Sequence, residues 1–90
     1  MNTERQSADA EAIEHAVATL SREERMLVVV CRELYDRDWD EMIVDMQARL
    51  SGKPYIFKLA TRIEDDLLRI QRLRQLEKEL GTELADHVAS

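Results

Sequence analysis

Apolar residues recur along this chain at helical spacing, in blocks separated by capping and breaking residues. Ile13, Ala16, Val17 and Leu20 stand at i, i+3, i+4 and i+7, one narrow stripe of an amphipathic helix. Ser7 can cap it, which places the first helix at about residues 8–20 and leaves 1–7 as a polar, frayed N-terminus. The stripe is narrow and includes an alanine, so this helix packs onto a core rather than founding one. Ser21 and Glu24 form a capping box that opens a second helix. Leu27, Val30, Cys31 and Leu34 define its main face. Met26, Val28 and Val29 extend the apolar surface almost all round, the pattern of a helix buried on every side.

Tyr35, Trp39, Met42, Met46 and Leu50 continue with helical steps, so one helix over 22–50 is conceivable. The intervening aspartates Asp36, Asp38 and Asp40 lower helix propensity, and Asp38 with Glu41 supplies a second cap. The apolar direction also rotates between Leu27 and Leu50. Two helices, 22–35 and 39–50, are the preferred reading.

Ser51-Gly52-Lys53-Pro54 combines a helix stop with a helix start, and predicts a reversal. Beyond it Ile56, Leu59, Ala60, Ile63, Leu67, Ile70 and Leu73 predict a long helix over about 54–80, its stripe shifting at the end to Leu76 and Leu80. A helix of that length would extend ~39 Å, more than one small subunit covers. Gly81 ends it, and Thr82 can cap a short tail helix carrying Leu84, Ala85 and Val88. The expected fold is all-α: a helical hairpin with an added N-terminal helix, a single domain over 8–90, assembling as a dimeric bundle. The seam expected for that homodimer is Tyr35, Trp39, Met42, Met46 and Leu50, with Ile70, Leu73, Leu76 and Leu80 from the long arm.

Composition narrows the function more than it defines it. The net charge is −6, which opposes generic affinity for nucleic acid or anionic membranes. Residues 1–40 hold five Arg against ten acids, whereas 53–78 hold seven basic residues against four acids. Within that second arm Lys58, Arg62, Arg69 and Arg72 would share one helix face, a possible basic binding surface. A second reading follows from it: residues 39–75 as a helix-turn-helix-like DNA reader. Against it, the stripe uses Ile56, Ala60 and Ile63 where such a motif would use Phe57, and Glu64-Asp65-Asp66 would repel phosphate.

No apolar run is long enough to span a bilayer, and the N-terminus lacks the basic-then-apolar order of a secretory signal. One cysteine admits no internal disulfide, so a cytoplasmic protein is expected. Cys31 lies among apolar residues, the setting of an inert thiol. His15 and His87 should be exposed, and neither has a Glu three positions earlier to share a metal. The arginines are expected to point outward, leaving no convergent pocket. No catalytic, metal or cofactor site is expected. The chain reads as a non-enzymatic interaction or regulatory module, partnered by a second copy and by another protein.

Overall fold

A computed structural model describes residues 9–50 and 62–89. Among them the chain is all-α, with four helices and no strand. Helix α1 spans Ala10–Ala18. Its cap is Asp9, whose carboxylate accepts from the Ala12 N–H at 2.8 Å, so the helix begins later than a Ser7 cap would place it. Ser7 itself lies outside the described residues. The expected N-terminal stripe is on the inner side, but only Leu20, beyond the helix, is fully buried; Ile13, Ala16 and Val17 are half-buried.

Helix α2, Arg22–Leu34, opens with the capping box read from the sequence. Ser21 N–H donates to Glu24 at 2.8 Å, and Glu24 N–H donates to the Ser21 hydroxyl at 3.1 Å. The buried face is Glu24, Leu27, Val28 and Cys31, continued by Tyr35. This departs from the expected face: Val30 is half-buried and Leu34 is 51 % exposed. Met26 is 44 % exposed, so α2 is not enclosed on every side. The three valines wrap too far around the helix for one neighbouring surface to cover them all.

The break before α3 is built from backbone of unusual sign. Asp36 and Arg37 have φ of 53° and 69°, the left-handed region in which a Cβ is crowded. The Arg37 N–H reaches back to the Cys31 carbonyl at 3.0 Å, and the Asp38 N–H closes a turn on Tyr35 at 2.9 Å. Asp38 then caps α3, Trp39–Leu50, accepting from the N–H groups of Asp40 at 3.0 Å and Glu41 at 3.2 Å. Two helices therefore replace the continuous alternative.

Helix α4 is Ile63–Leu80. Arg62 before it is extended, with ψ of 141°, so no single helix runs from 54 to 80. At 18 residues α4 is ~27 Å long. The expected joint at Ser51–Pro54 lies outside the described residues. Glu64, Asp65 and Asp66 occupy the first turn, where carboxylates complement the helix dipole. Gly81 closes α4 with φ of 73°, its N–H bonded to the Glu77 carbonyl at 2.8 Å. The tail then forms a 3-10 turn, Leu84–Asp86, rather than a Thr82-capped α-helix. Thr82 instead faces His87, Oγ1 to Nε2 at 3.2 Å.

Helix α4 packs on α2 and α3, and the 3-10 turn packs on α2. Arg72 meets Glu24 near the start of α2, and Arg32 near its end meets the tail, so α2 and α4 run in the same sense. The start of α3 lies against the later turns of α4 through Trp39 with Glu77 and Asp40 with Arg74. One apolar cluster joins Leu20, Leu27, Val28, Cys31, Tyr35, Met42, Met46, Ile70, Leu73, Leu80, Leu84 and Val88. The far end of α4 thus shares its burial with Leu84 and Val88 of its own chain. The reason for expecting a second chain there disappears with the long helix.

Candidate functional site

Three acidic residues occupy core register, and they organise the interior. On α4 the inward positions are Asp66, Ile70, Leu73, Glu77 and Leu80, alternating steps of four and three. Of the stripe expected from the sequence, Ile70, Leu73 and Leu80 are on this buried line, whereas Ile63, Leu67 and Leu76 form its half-buried flank. Asp66 is 1 % exposed and accepts from Arg69 at 2.7 Å. Glu24 is held by its own capping box, with the Arg72 guanidinium 3.3 Å away. Glu77 accepts on both oxygens: from the Trp39 indole N–H at 3.0 Å and from the Leu84 N–H at 2.9 Å. The buried carboxylates of Glu24 and Asp66 and the half-buried one of Glu77 are thereby engaged, as burial from water requires.

Most of the residues expected at a dimer seam are consumed by this core. Met42, Met46, Ile70 and Leu73 are fully buried, and Tyr35 and Leu80 nearly so. The Tyr35 hydroxyl donates to Asp45 at 2.5 Å. Trp39 and Leu76 are half-buried, and Leu50 is exposed. A side chain with no accessible surface offers a partner none. The seam reading is corrected accordingly: its centre is the interior of one chain.

Of the expected basic face, Arg62, Arg69 and Arg72 are described. Lys58 lies outside the described residues, and Arg62 precedes the first turn of α4 instead of sharing its surface. Arg62 stands 3.8 Å from Glu64, Arg69 is bound to Asp66, and Arg72 reaches Glu24. The described cations of this group each have a carboxylate within ionic reach, which weakens the electrostatic ground for phosphate binding.

Nor do all arginines point outward. Arg25 donates to the Val17 carbonyl at 2.9 Å, fastening α1 to α2. Arg32 donates to the Ala85 and Val88 carbonyls at 2.8 and 2.7 Å, fastening the tail to α2. Arg37 pairs with Glu83 at 3.1 Å and Asp86 at 2.8 Å on the surface beside it. These ties span up to 56 residues of sequence, which is why local spacing gave no sign of them.

Cys31 is 2 % exposed, and its thiol is pushed up from 9.0 to about 12, first by burial and then by the nearby Glu77 and Asp38 charges. Such a thiol stays protonated and is a poor nucleophile while buried. His15 and His87 are exposed, as their register implied. Among the described residues no group of three or more His, Cys, Asp or Glu is placed to hold a metal ion, and no helix is long and apolar enough to cross a membrane.

The largest described concavity lies along α1. A groove of about 680 Å³ is lined by Ile13, Val17, Ala10 and Ala18, with Glu14, Arg25 and His87 at its edges. Its walls are mainly apolar, and its ionic groups come from different elements without a shared reaction centre. The charged residues lining it are of mixed sign, Glu14 against Arg25, with His87 beside them. The arrangement suits the apolar face of a helix. Comparison with protein-family models, with curated proteins and with solved structures gave no match.

Proposed function

We propose that the chain is a small non-enzymatic interaction or regulatory module whose α1 groove takes an amphipathic helix of another protein. The observation carrying this reading is α1 itself: a regular helix with an apolar side and not one fully buried residue, beside an open groove. A helix of nine residues is marginal alone, and tertiary burial is what normally sustains it. An apolar partner face would complete that burial, with polar groups at its margin meeting Glu14 and Arg25. The engaged carboxylates and the protonated thiol favour binding over catalysis. A cytoplasmic setting matches the lone cysteine.

Self-association belongs to the same reading, on different residues from those first expected. Among the described residues Met26, Leu34, Val44, Leu50 and Leu68 are the large apolar side chains left exposed, and a second copy meeting them would leave each core intact.

Val17→Asp tests the groove. It places a charge among the half-buried lining residues, at a position that packs against the core cluster but is not one of its buried members. The expected result is loss of partner proteins that the wild-type chain captures from its native host, with the unfolding midpoint shifted by only a few degrees. Equal capture by both proteins would overturn the assignment.

A further inference from the structure

Helix α2 carries a second line of residues on the side away from the core. At about 100° per residue this line runs through Arg22, Met26, Val29 and Glu33. It lies opposite the buried Glu24, Leu27, Val28 and Cys31 of the same helix. Arg22, Met26 and Glu33 are exposed, and Val29 is half-buried. The line therefore has an apolar centre with a charge at each end, positive first and negative last.

Two features of the line point to its occupant. Its steps are four, three and four, so the spacing reads the same in either direction. Its end charges are opposite, so reversal exchanges them. Laid antiparallel on a second copy, Met26 meets Val29 of the other chain twice, and Arg22 meets Glu33 twice. These are the alternating layers of an antiparallel helix pair, and a two-fold axis repeats each contact, as an isologous interface requires. A parallel copy would set Arg22 on Arg22 and Glu33 on Glu33. Charge thus selects the antiparallel arrangement.

The two charges are also poorly placed for the single helix. Arg22 is the first residue of α2 and Glu33 lies in its last turn, each against the sense of the helix dipole. In the antiparallel pair Arg22 lies beside the C-terminal end of the other helix and Glu33 beside its N-terminal end, where those charges are favoured. Glu33 accepts from Arg32 at 2.9 Å through one oxygen and is 58 % exposed, so its other oxygen can accept from Arg22 of the second copy. Arg25 and Arg32, on one flank of the line, are turned to carbonyls of their own chain.

We propose that the outer line of α2 is a two-fold seam on which a second copy of this chain docks antiparallel, through Met26 and Val29, with Arg22 and Glu33 setting the register. The proposal rests on the self-association reading above and gives it a surface and an orientation. The seam is ~17 Å of helix, so the dimer is a weak one that forms and dissociates with concentration.

The test is sedimentation equilibrium of the full chain from about 1 μM to about 1 mM. The wild type should pass from monomer to dimer within that range. Met26→Glu should weaken the dimer at least about 10-fold, because each copy would bring an unpaired charge to the seam. Arg22→Glu and Glu33→Arg should each weaken it about 5-fold or more, by setting like charges together at both ends. The double variant Arg22→Glu/Glu33→Arg should regain the wild-type affinity within about twofold, since both pairs return with reversed sign. Both single charge changes move in the direction the helix dipole favours, so unfolding does not imitate the loss. A chain that stays monomeric to the upper limit would overturn the seam and the self-association reading together. A dimer unmoved by Met26→Glu, or a double variant as weak as the single ones, would overturn the seam alone.

Discussion

Met46→Ala should cost about 2–5 kcal/mol of unfolding free energy, the range for removing a large side chain from a closed core. Met46 has no accessible surface and belongs to the cluster that joins α2, α3, α4 and the tail. Little of the loss should be recovered by collapse, because Met42 on the same face is also fully buried. For a domain of this size the thermal midpoint should fall by roughly 10 °C or more. Urea unfolding should show a lower midpoint with an unchanged slope, since the surface exposed on unfolding is nearly the same. Leu50→Ala provides the contrast. Leu50 is on the same helix but exposed, and its loss should stay within about 0.5 kcal/mol. Equal small effects at both positions would mean that the methionine face of α3 is not the interior of the chain.

Glu77→Ala is the second large effect, and it acts by a different route. The substitution removes the acceptor for two donors, the Trp39 indole and the Leu84 N–H. The indole is half-buried and Leu84 is fully buried, so water replaces the carboxylate incompletely. Stranded donors of this kind cost about 1–3 kcal/mol each, and a total of about 2–4 kcal/mol is expected. Glu77→Gln should lose less, because an amide oxygen can still accept from one of the two. Trp39 fluorescence should shift in both variants before any unfolding begins. An Ala variant as stable as the wild type, with unchanged Trp39 emission, would show that Glu77 does not join α3 to the tail.

The helices were legible in the sequence because their ends are chemically marked. Ser21 with Glu24, Asp38 before Trp39, and Gly81 after Leu80 each stand where the local backbone needs them. The break between α2 and α3 was legible for the same reason. The facing of the helices was less so. Apolar residues were assigned to the core and acidic ones to water, yet Glu24, Asp66 and Glu77 occupy inward positions. Reading Asp66 and Glu77 as outward rotated the stripe of α4 and produced an apparent shift at Leu76. The alternating steps through 66, 70, 73, 77 and 80 were available as a signal, had register been weighed above residue type. The start of α4 was misplaced because Pro54 is a plausible first helical residue and nothing in local spacing marks the extended Arg62.

The sites divide in the same way. The burial of Cys31 and the exposure of both histidines follow from local register and were read correctly. The roles of Arg32, Arg37 and Glu77 depend on contacts between residues far apart in sequence, which periodicity does not carry. The tail was expected to bring Leu84 and Val88 to an apolar surface, but not to fasten itself through carbonyls to Arg32. The apolar stripe of α1 was present in the spacing, while the groove along it exists only once α1, Arg25 and His87 are brought together.

The central claim is that the methionine and aliphatic stripe first assigned to a dimer seam is the core of each separate chain. Methionine oxidation followed by mass spectrometry tests it directly, because Met26, Met42 and Met46 sample both environments. Met26 is 44 % exposed, whereas Met42 and Met46 have no exposure. In a dilution series treated with peroxide, Met26 should oxidise rapidly at the lowest concentrations, with Met42 and Met46 protected at least about 10-fold throughout, since sulfoxide formation follows exposure. Slower oxidation of Met26 at high concentration would register a second copy covering it, with the core methionines unaffected. Met42 and Met46 oxidising as fast as Met26 in the dilute protein, and becoming protected only on concentration, would contradict the account.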